Sequence, residues 1–126
     1  MKPFRILIVD DDQISINLTI ATLHYIYEGA QIRTVSNGMQ AMEYFLQNSE
    51  EIPEIIFLDI NMPIMNGFEF LEWYNKSSFK GRSKICMLSS SLNIEDQERA
   101  SRYNDVVGYF NKPLKYEAVN TFMESL

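Results

Sequence analysis

The sequence contains few of the features that mark secreted or membrane-embedded proteins. Among its 126 residues there is one cysteine, Cys86, so no internal disulfide can form. No apolar run approaches the roughly 20 residues that a membrane-spanning helix requires. The first residues, Met1 to Pro3, lead directly into an apolar segment and lack the pattern of a signal peptide. These absences predict a protein of the reducing cytoplasm with no membrane partner.

Positive charge is also scarce. The chain has 11 lysines and arginines against 17 aspartates and glutamates, which gives a net charge of −6. Nucleic-acid binding depends on neutralising phosphates with basic side chains, so this balance predicts no nucleic-acid partner. The single histidine, His24, has no metal-binding companions in the sequence and is expected at the surface. With 46% hydrophobic and 22% charged residues, we expect one folded domain spanning residues 1–126.

Five short apolar runs alternate with five segments in which apolar residues recur at helical spacing. We predict strands at residues 4–9, 31–35, 54–58, 84–88 and 106–110, and helices at about 13–27, 41–48, 67–74, 94–103 and 115–124. In the first helix the apolar residues at helical spacing are Ile14, Leu18, Ala21 and Tyr25. Residues 36–38 (SNG) predict a turn. Short links and buried-strand composition predict an α/β fold, a doubly wound parallel five-stranded (βα)₅ sheet with helices on both faces.

Polar residues follow four of the predicted strands at the point where each strand ends. Asp10, Asp11 and Asp12 follow the first strand, Asp59 the third, Ser89 the fourth and Lys112 the fifth. The carboxyl ends of parallel strands lie at one edge of a sheet, where ligands bind. We therefore expect several carboxylates, one hydroxyl and one ammonium group to converge there. Asp12 is expected to be a solvated helix start rather than a ligand.

Crowded carboxylates repel each other unless a cation is present, and hard oxygen ligands favour Mg²⁺ over zinc or copper. Mg²⁺ shares its coordination sphere with phosphate oxygens, which suits phosphoryl transfer. In such a reaction Asp59 would be the nucleophile that forms an aspartyl-phosphate. Lys112 and Mg²⁺ would neutralise the phosphoryl oxygens, and Ser89 would hydrogen-bond to one of them.

Several short motifs appear in a specific order along the chain. They are Asp10-Asp11, Asp59 with Met62-Pro63 and Gly67, Ser89-Ser90, and residues 108–113 (GYFNKP). Each is weak alone, but at these strand ends and in this order the chain resembles the receiver domain of response regulators in two-component signalling over essentially its whole length. The resemblance implies a flavodoxin-like sheet in the order 2-1-3-4-5.

The resemblance also implies an acceptor and a metal site. Asp59 would accept a phosphoryl group from a histidine kinase or phosphotransfer protein. The side chains of Asp11 and Asp59 would hold Mg²⁺ together with the backbone carbonyl of Asn61, and Asp10 would act through water. Because neither Asn61 nor Ser91 is a strong acid or base, we expect slow-to-moderate self-hydrolysis of the phosphorylated protein.

A second group of residues would respond to the phosphoryl group. By the same resemblance, Lys112 would pair with Asp59 and then with the phosphoryl group, and its bond to Pro113 is usually cis in this family. Ser89 would be the switch hydroxyl, and the rotamer of Tyr109 would follow it. The fourth and fifth helices with the strand between them would then bind an unknown downstream protein in a phosphorylation-dependent manner.

Three functions are compatible with this sequence. The leading hypothesis is a stand-alone, Mg²⁺-dependent response regulator that has no separate substrate and therefore is not an enzyme, although the chain could be a fragment of a longer protein. The second is a phosphorylation-independent interaction module with the same fold. The third is a Mg²⁺-dependent aspartyl-phosphate phosphatase, which is disfavoured because Asn61 stands where such enzymes usually carry a second acid.

Four aromatic residues crowd the third predicted helix. Helical packing explains some of them, but we do not expect four aromatics in seven positions to face one core, so a contact patch for a partner or a homodimer is the alternative. These residues are Phe68, Phe70, Trp73 and Tyr74. Cys86, inside a predicted strand, is expected to be a small core residue.

Overall fold

The computed structural model describes residues 4–91 and 93–124. Within these residues, five strands and five helices alternate. The strands are β1 (Arg5–Val9), β2 (Gln31–Val35), β3 (Ile55–Asp59), β4 (Lys84–Ser89) and β5 (Val106–Asn111). The helices are α1 (Gln13–Ile26), α2 (Gly38–Gln47), α3 (Gly67–Lys76), α4 (Ile94–Ser101) and α5 (Tyr116–Glu124). The prediction about residues 1–3 lies outside the described residues, as does the last part of the expected 1–126 domain.

The strands form one sheet in the order β2-β1-β3-β4-β5, and every neighbouring pair is parallel. This confirms the predicted flavodoxin-like α/β topology. The register aligns the strand ends: Val9 is paired with Leu58, and Asp59 is paired with Leu88. The polar residues that follow the strands therefore meet at one edge, as the sequence predicted.

Two hydrophobic clusters cover the two faces of the sheet. One contains Ile56 and Leu58 of β3 together with residues of α2, α3 and α4, and the other contains Ile55 and Phe57 with residues of α1 and α5. All five residues of β3 are buried, because this central strand is covered on both faces. Cys86 is a core residue, as predicted, and burial raises the pKa of its thiol to about 12.

Side-chain caps explain where some helix boundaries differ from the prediction. Residues 36–38 were predicted as a turn, but α2 begins at Gly38 because the Asn37 side chain accepts a hydrogen bond from the Gln40 N–H at 2.9 Å. Helix α3 continues two residues beyond the predicted end, to Lys76, whereas α4 ends at Ser101, two residues early. None of the described helices is long and apolar enough to cross a membrane.

The buried face of α1 is not the one marked by its apolar spacing. Ile14, Leu18 and Tyr25 are 71%, 51% and 79% exposed, and Ala21 is exposed as well. The helix instead buries Ser15, Ile16, Thr19 and Leu23. Two polar residues fit on this face because their hydroxyls find local partners: Ser15 donates to Asp10 and Thr19 donates to the Ser15 carbonyl. The spacing correctly predicted a helix but indicated the wrong side as the core.

The aromatic residues of α3 belong to the core, so the alternative of a contact patch there is wrong. Phe68, Phe70 and Tyr74 are at most 3% exposed, and Trp73 is partly buried against the same cluster. Phe45 of α2 lies among them, with its ring centroid 6.0 Å from that of Phe70. The α2–α3 packing explains how four aromatics in seven positions are accommodated.

Candidate functional site

Asp10 is a buried carboxylate directly after β1. It is 1% exposed and accepts hydrogen bonds on both oxygens. Its Oδ1 accepts from the Asp12 N–H at 3.0 Å, and its Oδ2 accepts from the Ser15 hydroxyl at 2.6 Å. The Lys112 ammonium lies 2.9 Å from the same Oδ2. Asp10 is therefore held in one orientation by three donors.

The next two acids face solvent and have different roles. Asp11 and Asp12 are both exposed. The Asp12 side chain accepts from the Ile14 N–H at 3.1 Å and caps α1, which confirms the prediction of a solvated helix start. Asp11 stays beside the buried Asp10 with its carboxylate available to a ligand.

Asp59 is the last residue of β3 and is 7% exposed. The loop that follows is held close against it: Gly67 donates its N–H to the Ile60 carbonyl at 2.9 Å. A Cβ at Gly67 would lie 2.4 Å from the Asp59 carbonyl oxygen, so a side chain does not fit there. A capping box between Asn66 and Glu69 then starts α3. Asn61 lies exposed in this loop, and its service as a carbonyl ligand stays a prediction.

Lys112 lies between the two buried carboxylates. Its Nζ is 2.9 Å from Asp10 Oδ2 and 3.5 Å from Asp59 Oδ2. Its backbone N–H donates to the Ser89 carbonyl at 2.7 Å, which ties the end of β5 to the end of β4. The peptide bond between Lys112 and Pro113 is cis, as the resemblance implied. The predicted convergence of acids and ammonium group is thus confirmed.

The electrostatics of Asp59 are dominated by burial. Desolvation raises the pKa of Asp59 from its ordinary 3.8 to about 6; the Lys112 ammonium opposes this shift, and the Asp10 carboxylate adds to it. At pH 7 the group is still about nine-tenths ionised. Asp59 is therefore a more basic carboxylate than a surface aspartate, yet one that remains anionic under neutral conditions.

The acids fit a hard divalent cation. One carboxylate oxygen from each of Asp10, Asp11 and Asp59 lies within 4.8 Å of the others. An all-oxygen set that combines buried and exposed carboxylates suits Mg²⁺, which binds through one or two carboxylates and keeps several waters. A cation there would also relieve the repulsion between Asp10 and Asp59.

Ser89 and Tyr109, the predicted switch pair, lie on neighbouring strands. Ser89 ends β4, is 2% exposed, and accepts from the Ser91 N–H at 3.1 Å. The Tyr109 ring on β5 packs against the cluster that contains Ile56 and Leu58. Within residues 4–91 and 93–124, the buried Tyr109 hydroxyl has no hydrogen-bond partner. Coupling between this pair stays a prediction.

A cleft of about 290 Å³ opens beside the site. It extends from Lys112 and Pro113 to the first two turns of α1, where Ile14, Ser15 and Leu18 line it. Sequence reasoning missed these three α1 residues. The available signal was a second apolar stripe in the same helix, Ile16, Ile20, Leu23 and Ile26, which packs in the core although Ser15 and Thr19 share its side.

Comparison with known proteins gives one consistent family. The model of the response regulator receiver domain matches residues 6–124. The crystal structure of a two-component response regulator from Cytophaga hutchinsonii is 31% identical, with a TM-score of 0.90, and the match covers 99% of this chain and 97% of that one.

Two curated proteins are similar over most of this chain. The nitrate/nitrite response regulator protein NarL of Escherichia coli K12 is 34% identical over 119 residues, which cover 92% of this chain and 51% of NarL. The "Probable methanogenesis regulatory protein FilR2" of Methanothrix harundinacea is 25% identical over 127 residues, 98% of this chain and 81% of FilR2.

Several further curated relatives are much longer, and the chain matches only 6–28% of their length. This chain therefore corresponds to a small part of each of those proteins. The family match agrees with the observed fold, with the assembled acids and lysine, and with the cis peptide bond. The chain belongs to the response regulator receiver domain family of two-component signalling.

Proposed function

We propose that this protein is one receiver domain over residues 1–126 that accepts a phosphoryl group on Asp59 from a histidine kinase or phosphotransfer protein. The observation that carries the proposal is the position of the Lys112 ammonium, 2.9 Å from Asp10 and 3.5 Å from Asp59. It can stabilise the anionic phosphoryl oxygens while staying within reach of a second carboxylate. The proposal includes a cytoplasmic location, a reducing compartment in which the Cys86 thiol stays reduced.

In the transfer step an Asp59 oxygen forms the new P–O bond as the P–N bond of the phosphohistidine breaks. The leaving imidazole keeps the bonding electrons, and no general base is needed because Asp59 is already ionised. Lys112 shifts toward the phosphoryl oxygens, and the Ser89 hydroxyl turns to donate to one of them. The side chains of Asp11 and Asp59, the Asn61 carbonyl and Asp10 through water would hold Mg²⁺, and the bound ion would supply further neutralisation of these oxygens.

The exposed face of α1 is the proposed contact surface for the phosphodonor. Ile14 and Leu18 line the cleft that reaches Lys112, so a protein that delivers a phosphoryl group to Asp59 covers them. The exposed apolar residues Ile14, Leu18, Ala21 and Tyr25 follow a 4-3-4 spacing, which is typical of a helix packing against another helix. Helix α1 contains no Asp, Glu, Lys or Arg, so we expect donor binding to be apolar rather than electrostatic.

Output is proposed to occur by contact with a downstream protein on the side of α4 and β5. Ile94 and Val107 are 69% and 43% exposed there, and the Tyr109 hydroxyl is buried without a described partner. Ser89 moving toward a phosphoryl group changes the surroundings of Tyr109, which biases this surface between two arrangements.

The first experiment is an intact-mass measurement after mixing the protein with Mg²⁺ and a small phosphodonor such as phosphoramidate. We expect a single phosphoryl adduct that is absent without the metal and absent in Asp59→Asn. No adduct together with detectable Mg²⁺ binding would favour transfer from a kinase alone or the phosphorylation-independent module. Steady hydrolysis of a small phosphate ester would instead support the phosphatase.

A further inference from the structure

Ser15 is a buried hydroxyl at the site that no motif marks. It is 9% exposed, and its Oγ donates to Asp10 Oδ2 at 2.6 Å. Its own carbonyl accepts from the Thr19 hydroxyl at 2.9 Å, so it is fixed on the buried face of α1. Ser15 thus contacts neither Asp59 nor the expected path of a phosphoryl group directly. It contacts the carboxylate that shares Lys112 with Asp59.

The hydroxyl and the ammonium donate to the same oxygen. Lys112 Nζ lies 2.9 Å from Asp10 Oδ2, whereas its distance to Asp59 Oδ2 is 3.5 Å. The ammonium therefore favours Asp10 in this state. To contact a phosphoryl group on Asp59 it has to lengthen its contact with Asp10. Removing the donors from a carboxylate that is 1% exposed is energetically costly, because water cannot reach the carboxylate to replace them.

We propose that Ser15 is a positioning residue that allows Lys112 to move from Asp10 to the phosphoryl group. The Ser15 hydroxyl keeps Asp10 Oδ2 hydrogen-bonded while the Lys112 ammonium moves away from Asp10 towards the phosphoryl group. Asp10 Oδ1 remains bonded to the Asp12 N–H throughout. Without the hydroxyl, Oδ2 depends on Lys112, and the lysine is held at Asp10. This inference rests on the proposed function of Asp59.

The test compares Ser15→Ala with Ser15→Thr, which retains the hydroxyl, in the full chain. Three quantities are measured: Mg²⁺ affinity by calorimetry, affinity for beryllofluoride in saturating Mg²⁺ by ¹⁹F NMR, and the rate of phosphorylation by phosphoramidate. Beryllofluoride is a useful probe because it occupies the position of a phosphoryl group without covalent transfer. Thr22→Ala is the matched control, since this α1 hydroxyl donates to the Leu114 carbonyl at 3.2 Å rather than to a site carboxylate.

In Ser15→Ala we expect beryllofluoride affinity and phosphorylation rate to fall roughly tenfold, the size of a lost hydrogen bond to a charged group. Mg²⁺ affinity should change less than about twofold, because the proposed direct ligands are Asp11 and Asp59. Ser15→Thr should restore both losses, and Thr22→Ala should match the wild type. Circular dichroism spectra identical to wild type show that the variants are folded.

Two results would overturn the inference while leaving Asp59 as the acceptor. The first is wild-type beryllofluoride affinity and phosphorylation rate in Ser15→Ala. The second is a loss of Mg²⁺ affinity equal to the loss of beryllofluoride affinity, which would make Ser15 a support for the metal site instead. A wild-type protein that takes neither beryllofluoride nor a phosphoryl group would overturn the proposed function and this inference with it.

Discussion

At the scale of single residues, the site places charge where burial opposes it. Asp10 and Asp59 are 1% and 7% exposed and lie near one another with one ammonium between them. Burial raises the pKa of Asp59 to about 6, so its ionised form is disfavoured in the folded protein relative to the unfolded chain. The nucleophile is thus kept ready for reaction at the expense of folding stability.

Asp59→Asn should therefore stabilise the metal-free protein at neutral pH. A folded pKa of about 6 against an unfolded value of 3.8 means that the stability contribution of this carboxyl is fully present below pH 4 and is lost as pH rises through 6. Relative to Asp59→Asn, the wild type should lose on the order of 2 kcal/mol of unfolding free energy over that interval. Urea unfolding in chelator measures both proteins across pH. A difference in unfolding free energy that stays constant with pH would contradict a raised pKa of the buried Asp59 carboxyl.

Gly67 is a second residue whose role is set by contact distance. A Cβ would lie 2.4 Å from the Asp59 carbonyl oxygen, so Gly67→Ala has to displace the backbone beside the acceptor. We expect a loss of roughly 1–3 kcal/mol in unfolding free energy and slower phosphorylation. Gly29→Ala is the control, because a Cβ there meets no atom of residues 4–91 and 93–124 within 4 Å, so this substitution should not lower the unfolding free energy. Equal unfolding curves for the two variants would show that the loop relaxes freely.

At the scale of elements, α1 shows what pattern reading reaches and where it stops. The helix itself was predicted from the spacing of Ile14, Leu18, Ala21 and Tyr25. The face of α1 that packs in the core was not predicted, because an apolar stripe can pack against the core of its own domain or against a partner protein. The sheet buries Ile16 and Leu23 instead, and Ser15 with Thr19 is tolerated only because each hydroxyl finds an acceptor. That compensation exists in three dimensions and leaves a weak trace in the sequence.

Leu18→Glu should slow phosphorylation by a protein phosphodonor but not by a small-molecule phosphodonor. The side chain is 51% exposed, so we expect the unfolding free energy to change by less than about 0.5 kcal/mol. A charge on the α1 stripe should slow phosphotransfer from a histidine kinase domain that serves the wild type, by roughly tenfold or more. The rate with phosphoramidate should stay the same, because that donor is small enough to reach Asp59 without covering α1.

The control for this surface is Leu46→Glu on α2. Leu46 is 60% exposed and lies outside the cleft beside Lys112, so the same change of charge should leave both donors at their wild-type rates. An equal effect of the two variants on kinase-borne transfer would mean that added negative charge, not the α1 stripe, is responsible. Unchanged transfer in Leu18→Glu would move the donor contact elsewhere.

At the scale of the whole molecule, topology made much of the site predictable. Once five strand–helix units are recognised, a parallel sheet brings the residues after β1, β3, β4 and β5 to one edge. Asp10, Asp59, Ser89 and Lys112 could therefore be grouped without coordinates. The sequence could not predict which carboxylate Lys112 contacts more closely, since this depends on differences of tenths of an ångström and on the Ser15 hydroxyl. The same holds for the raised pKa of Asp59, which arises from burial by the assembled sheet.

Metal binding, protonation and folding should be linked at the acid cluster. Mg²⁺ that binds the folded acid cluster stabilises the whole domain in proportion to its affinity, so adding it should raise the melting temperature. Protons compete for Asp59, whose pKa is about 6 without metal, so the increment should be larger at pH 7.5 than at pH 5. At one pH unit below that pKa, protonation of Asp59 weakens Mg²⁺ binding about tenfold, or by about 1.4 kcal/mol. Thermal unfolding at matched ionic strength measures this, and Asp11→Asn should abolish most of the increment. An increment that is independent of pH, or that persists in Asp11→Asn, would place the cation outside this cluster.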